Sequence, residues 1–282
     1  AAKRKVAPLI WQKLGNPDHY IEPFFGSGAT LLAREEMGRF ETVNDHDGLL
    51  CNFWRALKAT PEGLAEAAAW PTSELDLIAR HNHMVMRRKT IASELAADPE
   101  YFDLVLAAWW IWCICSWVGS SYCHREIQMK KPKLCTGNGI FPNLHRGDLL
   151  ERFRALSDRL KNVRMVCGSW ERILTPLIVN VGRDVGILLD PPYDESICGT
   201  VDAYGCTSCS RDVREWAIQH GNERRLRIAL CGYEGEGHEE LEQHGWSVHA
   251  WKANCGYANM GKAGRGRENC HKERIWFSPY CL

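Results

Sequence analysis

The sequence predicts an α/β fold in which a mostly parallel β-sheet is covered by helices on both faces. Segments typical of strands alternate with segments typical of helices through residues 19–59, and strand segments recur through 163–279. Strands that alternate with helices usually pair in parallel through crossover connections. Between these two regions the pattern is helical and rich in tryptophan. We therefore expect an α/β domain and a helical insert, with the domain formed by residues 1–59 and 163–282 and the insert by residues 60–162.

The first half of the α/β domain predicts two strands and two helices. In chain order they are a strand "HYIEPF" (19–24), a helix "ATLLAREEM" (29–37), a strand "FETVNDH" (40–46) and a helix "DGLLCNFWRALKA" (47–59). Asp47 can cap the second helix, because an aspartate oxygen accepts the hydrogen bonds of the first turn. The apolar residues of this helix follow helical spacing, namely Leu49, Leu50, Phe53, Trp54 and Leu57.

Five further strands are predicted after the insert. They are "VRMVCGSW" (163–170), "VGILLDPPY" (185–193), "RLRIALCGY" (225–233), "WSVHAWKA" (246–253) and "ERIWFSP" (273–279). The insert is predicted to be helical, with a loop from Cys123 to Asn143 that contains two prolines and two glycines. We expect the insert at one edge of the sheet.

The composition excludes several classes of protein. Lys plus Arg balances Asp plus Glu at 35 each, so no global charge indicates a nucleic-acid or membrane partner, and any such surface must be local. No apolar run reaches the roughly 18 residues of a membrane span. No signal peptide is recognised at the start of the sequence. We expect a cytoplasmic protein that is a monomer or a weak dimer.

Thirteen cysteines raise the question of a metal site. Cys113, Cys115, Cys123, His124 and Cys135 could supply ligands, and a finger-like spacing separates Cys206 from Cys209. No second pair completes a regular C-x-x-C…C-x-x-C frame. Structural zinc is the less favoured alternative. We expect no metal, and free, mostly buried thiols in a reducing compartment.

The stretch "YIEPFFGSGATLL", residues 20–32, runs from a strand through two glycines into helix-forming residues. Gly26 and Gly28 have no Cβ, so a ligand can lie against the main chain and the next segment can pack closely. The pattern lacks the third glycine of a dinucleotide fingerprint. Taken alone, it is also compatible with an ordinary strand–turn–helix corner.

A second motif, "GILLDPPYDES" at residues 186–196, is more specific. Pro191 and Pro192 remove two backbone donors and stiffen the chain where it leaves the carboxyl end of the sheet, at which ligands of open α/β sheets bind. Asp190 and the Pro191 carbonyl can each accept one N–H of an exocyclic amine, and Tyr193 can stack on the base. Such bonds favour the pyramidal amine, whose lone pair is free to react. A hydrogen bond to a charged acceptor contributes about 1.5–3 kcal/mol.

In this order, the motifs "EPFFGSGATLL", "VNDHDGLLCNFWRAL" and "LLDPPY" resemble the Dam-like, S-adenosylmethionine-dependent DNA adenine methyltransferases of the alpha group, most closely the phage-encoded members. The opening "AAKRKVAPLIW" is similar to their "GGK" segment, with Ala1-Ala2 in place of the glycines. The resemblance covers nearly the whole chain. It implies a Rossmann-like methyltransferase sheet, a helical target-recognition insert, and methyl transfer from S-adenosylmethionine to N6 of a flipped adenine in double-stranded DNA.

The resemblance also implies roles for individual residues. The glycine loop would lie against the methionine part of the cofactor, Asp45 would accept the ribose hydroxyls, and His46 and Trp170 would flank the adenine. Ser169 stands where relatives often carry an acid. The catalytic residues would be Asp190, Pro191, Pro192 and Tyr193. The expected cofactor contacts are Lys3, Glu22, Pro23, Phe24, Phe25, Gly26, Ser27, Gly28, Asp45, His46, Ser169, Trp170 and Asp190.

Two basic runs are candidates for contacts with DNA phosphates. Residues 252–274 contain six basic residues and two acidic ones. Residues 125–133 contain four basic residues and one acidic residue. Either run could instead be a solvated face, but an enzyme that flips a base needs phosphate contacts. We expect Trp109, Trp110 and Trp112 in the core. The expected DNA contacts are Trp117, Ser120, Ser121, Tyr122, Arg125, Lys130, Lys131, Lys133, Lys262, Arg265 and Arg267.

Methyl transfer is expected to be direct and in line, because no cysteine lies in a Pro-Cys motif beside the cofactor strands. Two alternatives stay open. The first is the exocyclic N4 amine of cytosine, although an aspartate at position 190 favours adenine. The second is a catalytically idle DNA-binding protein of the same fold, against which the intact Asp-Pro-Pro-Tyr sequence argues.

Overall fold

The computed structural model describes residues 2–117, 122–123, 126–128, 146–192, 209–252 and 271–282. The chain divides into two compact units, one formed by Ala1–Asp45 with Val163–Leu282 and the other by His46–Asn162. The insert was expected to begin at residue 60. In the structure, the helix that follows the second strand packs with the helical unit, so that unit begins at His46.

A seven-stranded sheet forms the centre of the first unit. Its strands are β1 (His19–Glu22), β2 (Phe40–Asp45), β3 (Arg164–Cys167), β4 (Val185–Leu189), β5 (Leu226–Tyr233), β6 (Ser247–Ala250) and β7 (Glu273–Phe277). The order across the sheet is β3-β2-β1-β4-β5-β7-β6. Strands β1 to β5 pair in parallel, whereas β7 is antiparallel to both of its neighbours. The predicted α/β class with a mostly parallel sheet is confirmed.

Helices cover both faces of this sheet and also build the second unit. The α-helices of the described residues are α1 (Ala7–Leu14), α2 (Gly48–Ala59), α3 (Pro61–Ala68), α4 (Glu74–Arg87), α5 (Ile91–Ala97), α6 (Leu104–Ser116), α7 (Arg146–Leu160), α8 (Pro176–Val179), α9 (Ser210–His220) and α10 (Glu240–Gln243). Short 3₁₀ turns occur at Ala2–Lys5, Leu31–Ala33 and Trp170–Ile173.

The central strand β4 is buried along its whole length, as expected for a strand with helices on both sides. On one face, a Cβ at Gly186 would lie 2.8 Å from Cγ of Pro17, so the chain that leads from α1 into β1 packs directly on the backbone. On the other face, Ile187 packs in one apolar cluster with Val213 and Ala217 of α9. In β4, Gly186 therefore lies on the face where the backbone is packed closely, and Val185 and Ile187 lie on the face that is filled by apolar side chains.

The prediction of a helix over residues 29–37 is wrong. The structure has only one 3₁₀ turn there, Leu31–Ala33. Arg34 adopts extended backbone angles, φ −70° and ψ 124°, and ends the turn. Its buried guanidinium reaches Glu41, with 3.2 Å between Nη1 and Oε1, and donates to Asn16 Oδ1 at 2.6 Å. A buried charge requires such partners. Satisfying Arg34 therefore overrides the local helix propensity.

The second unit is a helical bundle around α6, which packs against α2, α3 and α4. Helix α6 is apolar on nearly all sides, and Trp110 and Trp112 are buried, as expected of a core helix. Asp103 caps α6 by accepting from Leu106 N at 2.9 Å. The predicted cap of α2 is confirmed, because Asp47 Oδ1 accepts from Leu49 N at 3.0 Å. The five apolar residues predicted to face the core of α2 are all buried.

All eight cysteines within the described ranges are free thiols. Burial raises the pKa of Cys123 to about 12 and also raises that of Cys231, so both are neutral thiols. In the same ranges, no three His, Cys, Asp or Glu side chains are grouped as a metal site requires. No helix of the described residues is long and apolar enough to cross a bilayer.

We expect His238 to make the stability of the first unit depend on acidity. Its ring is buried, with Nε2 3.1 Å from Oγ of Ser210, and burial lowers its pKa to about 4. Below pH 6.5 the unfolded histidine binds a proton that the folded one does not. The free energy of unfolding therefore falls as the pH is lowered, by about 2 kcal/mol from this residue between pH 7 and pH 5.

Urea denaturation at pH 7 and pH 5 measures this effect. In His238→Asn the drop between the two pH values should be smaller than in the parent by about 2 kcal/mol. The exposed His244→Asn is the control and should retain the parental drop. An unchanged drop in His238→Asn would contradict the prediction.

Candidate active site

The strand order of the sheet reverses between β1 and β4. Residue Ile21 of β1 is paired with Thr42 of β2 on one side and with Ile187 of β4 on the other. In open α/β sheets, ligands bind at the carboxyl ends of the strands where the order reverses. The glycine loop follows β1 and the Asp-Pro-Pro sequence follows β4. The two motifs therefore leave the sheet side by side, and this is where we locate the site.

The two glycines of the loop serve different purposes. Both have positive φ angles, 48° at Gly26 and 64° at Gly28, which favour glycine. A Cβ at Gly28 would lie 2.6 Å from the ring of Phe25, so this glycine makes room for a buried aromatic side chain. At Gly26 a Cβ would have no heavy atom of the described residues within 4 Å. The loop thus packs inward at Gly28 and leaves open space over its backbone at Gly26.

Asp45, at the end of β2, holds this loop. Its Oδ2 accepts a hydrogen bond from Gly26 N at 2.7 Å, and its side chain is largely buried. The preceding residue, Asn44, donates from Nδ2 to the carbonyls of Pro23 and Gly168, both at 3.0 Å. These bonds tie together the ends of β1, β2 and β3. The sequence analysis missed Asn44, although a buried asparagine at a strand end requires partners and could have indicated this role.

The end of β3 contributes an aromatic wall. Gly168 N donates to the carbonyl of Asp45 at 2.9 Å, which positions the turn that follows. The ring of Trp170 stacks on Phe24, with 6.3 Å between centroids and 26° between planes. Ser169 is exposed, and its hydroxyl lies 3.1 Å from Oε2 of Glu171. Within the first unit, the structure therefore brings Phe24 and Trp170 together beside Asp45.

Other expected cofactor residues lie at the surface or contribute backbone. Ser27 is exposed at the tip of the loop, and Pro23 is buried where β1 ends. His46 is exposed and is the first residue of the helical unit.

Asp190 lies at the end of β4 and is about three-quarters buried. Lys3, in the amino-terminal 3₁₀ turn, forms an ion pair with it, with 3.0 Å between Nζ and Oδ1. The same ammonium lies 3.6 Å from Oε2 of Glu273, the first residue of β7. Lys3 was expected to contact the cofactor, and the structure places it on the carboxylate of Asp190. Tyr193 lies outside the described residues.

Glu22, the last residue of β1, is a buried carboxyl close to the other acids. It accepts a hydrogen bond from Tyr20 Oη at 3.0 Å. Burial raises the pKa of Glu22 well above its usual value, and the negative charges of Asp190 and Asp45 act in the same direction. The raised pKa favours the protonated form of Glu22. The site thus combines a buried carboxyl with two acids at adjacent strand ends.

The aromatic residues expected to contact DNA are packed inside the helical unit. Trp117 is buried and stacks on His81, with 4.3 Å between centroids and 17° between planes. Tyr122 donates from its hydroxyl to the carbonyl of Trp110 at 2.6 Å. A base contact by either ring would require it to leave this packing. The other expected DNA contacts lie outside the described residues, namely Ser120, Ser121, Arg125, Lys130, Lys131, Lys133, Lys262, Arg265 and Arg267.

Replacing Glu22 by Gln should stabilise the protein at neutral and alkaline pH. In the folded state the raised pKa of Glu22 retains a proton that the unfolded chain releases above about pH 4.5, so parental stability falls as the pH rises. Gln does not titrate. The variant should therefore exceed the parent by at least about 1 kcal/mol at pH 8, because each pKa unit corresponds to 1.36 kcal/mol, and the gain should shrink toward pH 4.5.

Thermal unfolding from pH 4.5 to pH 8 tests this expectation. Glu36→Gln, which changes an exposed carboxylate of the same unit, is the control and should follow the parental curve. A stability difference between Glu22→Gln and the parent that is constant over this range would show that Glu22 is charged in the folded protein.

Comparison with known proteins agrees with this geometry. Residues 2–90 match the family model described as D12 class N6 adenine-specific DNA methyltransferase. No curated protein gives a significant match. The matched segment contains α1, β1, the glycine loop, β2 and Asp45, which is one half of the site. The other half is the Asp-Pro-Pro-Tyr sequence at the end of the adjacent strand β4. The family match over residues 2–90 and the sheet that joins these halves support an adenine-specific N6 DNA methyltransferase.

Proposed function

We propose that the protein transfers a methyl group from S-adenosylmethionine to the N6 amine of an adenine that is flipped out of double-stranded DNA. The observation that carries this proposal is the position of two motifs at one reversal of strand order. The loop held by Asp45 follows β1, and the partly exposed Asp190 follows β4. A methyl donor bound at the glycine loop and an adenine bound at Asp190 would meet at one edge of the sheet.

The first half of the site fits a nucleoside cofactor. The open backbone at Gly26 allows close approach of a ligand. The Asp45 carboxylate is an acceptor of the kind that binds ribose hydroxyls in nucleotide-binding sheets. Trp170 and Phe24 supply aromatic surface for a flat base. When bound, S-adenosylmethionine would supply an electrophilic methyl group.

The second half of the site fits the amine that is methylated. Lys3 neutralises one side of Asp190 by binding Oδ1, and the Asp190 side chain is 24% exposed. We assign Oδ2 and the Pro191 carbonyl as the acceptors of the two amine protons. These hydrogen bonds draw the lone pair of the N6 amine out of conjugation with the base, so they become stronger as the transition state forms. Only interactions that are stronger in the transition state than in the ground state raise the rate. The methylated amine then loses one proton, which Asp190 is placed to accept.

The base must leave the helix for this chemistry, because N6 of a paired adenine is not accessible to a site at the end of a strand. Tyr193 would stack on the flipped base. The basic runs at 125–133 and 252–274 would contact the phosphates on either side, which accounts for basic segments in a chain of zero net charge.

The decisive measurement is the nucleoside composition of DNA methylated by purified protein. The parent with S-adenosylmethionine should yield N6-methyladenine by mass. Asp190→Ala should lose about a hundredfold in rate while it binds DNA and cofactor within a few-fold of the parent, because its hydrogen bond is made chiefly in the transition state. Asp190→Asn keeps one acceptor oxygen and should fall between the two. Tyr193→Phe should stay active, whereas Tyr193→Ala should not.

N4-methylcytosine in the product would reassign the target base. Failure of the parent to modify DNA would favour the idle DNA-binding protein. Methyl transfer by Asp190→Ala at the parental rate would contradict the proposed role of Asp190, although the methyltransferase activity itself would stand.

A second expectation concerns the cofactor. Asp45→Ala should weaken the binding of S-adenosylmethionine by about 1–3 kcal/mol, since it leaves hydrogen-bond donors without an acceptor. Asp45→Asn keeps an acceptor for Gly26 N–H and should lose less. Titration calorimetry measures both. Asp18→Ala is the control, because Asp18 lies at the amino end of β1 and pairs with Arg183. Equal affinities of Asp45→Ala and Asp18→Ala would rule out the contact with the ribose.

A further inference from the structure

We propose that Glu273 is a positioning residue for methyl transfer, which anchors Lys3 so that its ammonium stays on Oδ1 of Asp190 and leaves Oδ2 to the substrate amine. The inference rests on the proposed function, in which Asp190 accepts a proton of that amine. It adds a residue from the antiparallel strand β7, which lies outside both sequence motifs of the site.

The contacts of Lys3 are the basis of this inference. Its Nζ is 3.0 Å from Oδ1 of Asp190 and 3.6 Å from Oε2 of Glu273, and it lies 5.6 Å from the ring centroid of Trp251. The side chains of Lys3 and Glu273 are 12% and 5% exposed, whereas that of Asp190 is 24% exposed. Glu273 is therefore the inner member of this triad, and Asp190 is the member that a substrate can reach.

The sheet topology explains how β7 reaches the site. Because β7 runs antiparallel to β5, its first residue, Glu273, pairs with Tyr233, the last residue of β5. Strand β5 is parallel to β4, with Leu230 paired to Leu189. The amino end of β7 thus lies at the same edge of the sheet as the carboxyl end of β4. A parallel strand in this place would present its carboxyl end instead.

The second carboxylate has a physical consequence for Asp190. An ammonium group has three N–H donors. If Asp190 were the only carboxylate beside it, the Lys3 ammonium could donate to both Asp190 oxygens and so compete with the substrate amine. With Glu273 on its other side, the cation is shared between two carboxylates. The positive charge of Lys3 is then divided between two carboxylates and is not spent on Asp190 alone.

The test is a double-mutant cycle on the single-turnover rate of methyl transfer, with cofactor and DNA at saturation. Glu273→Gln keeps the shape of the side chain and removes its charge. It should slow transfer by about tenfold, while the dissociation constants of DNA and cofactor stay within about threefold. Lys3→Met should also slow transfer. Because Glu273 acts through Lys3, the double variant should be no slower than Lys3→Met alone.

A matched control separates positioning from general stability. Glu41 forms a similarly buried ion pair with Arg34, at the amino end of β2. Glu41→Gln should lower the melting temperature and leave the rate unchanged. Glu273→Asp keeps the charge and should recover most of the rate lost in Glu273→Gln. If Glu273→Gln does not fold, Glu273→Asp takes its place in the double-mutant cycle. Its loss of transfer rate should be smaller, and it should disappear when Lys3→Met is also present.

The outcomes distinguish this inference from the function on which it rests. A parental rate in Glu273→Gln, or losses that multiply in the double variant, would overturn the role of Glu273 while the methyltransferase stands. Absence of transfer by the parent would overturn the proposed function itself.

Discussion

The site depends on hydrogen bonds that Asn44 and Asp45 make at the end of β2. Asn44 joins the carbonyl that follows β1 to the carbonyl that follows β3, and Asp45 fixes the backbone of the glycine loop through Gly26 N–H. Parallel strands bring their carboxyl ends to one edge, but they do not by themselves set the path of the loops beyond that edge. Two adjacent side chains do so here. A loop held in this way is already ordered when a ligand arrives, so less conformational entropy is lost on binding.

The same edge concentrates acidic groups, and their states differ because their environments differ. Burial raises the pKa of Glu22, which is fully enclosed, whereas Asp190 is partly exposed and is paired with an ammonium. The fold thus places two carboxyl groups in very different environments at the same sheet edge. Placing all of these acids there as anions would cost several kcal/mol in mutual repulsion and desolvation. The raised pKa of Glu22 and the pairing of Asp190 with Lys3 both lower that cost.

The helical unit follows a different logic, in which aromatic residues are used for packing. Arg80 lies over the rings of Trp70, Trp109 and Trp112, with the shortest distance, 4.4 Å, to Trp112. Three tryptophans of this unit thus lie around one buried guanidinium. The density of aromatic residues in its sequence is therefore a poor guide to which of them meet DNA. We expect local basic charge in the segments around the loop to be the better guide, since phosphates require cations.

The sequence alone was sufficient to predict the fold class, the seven strands, the core face of α2 with its Asp47 cap, and the two motifs of the site. Periodicity, capping and turn chemistry are local properties that a short segment expresses by itself. Tertiary structure decided the rest. The segment after the glycine loop is not a helix, because the Arg34 guanidinium is bound by residues on both sides of it in the chain. Glu273 reaches Lys3 only because β7 runs antiparallel at the edge of a parallel sheet, and the two residues are separated by nearly the whole chain. Contacts of this kind depend on how distant segments are brought together, which local sequence patterns do not encode.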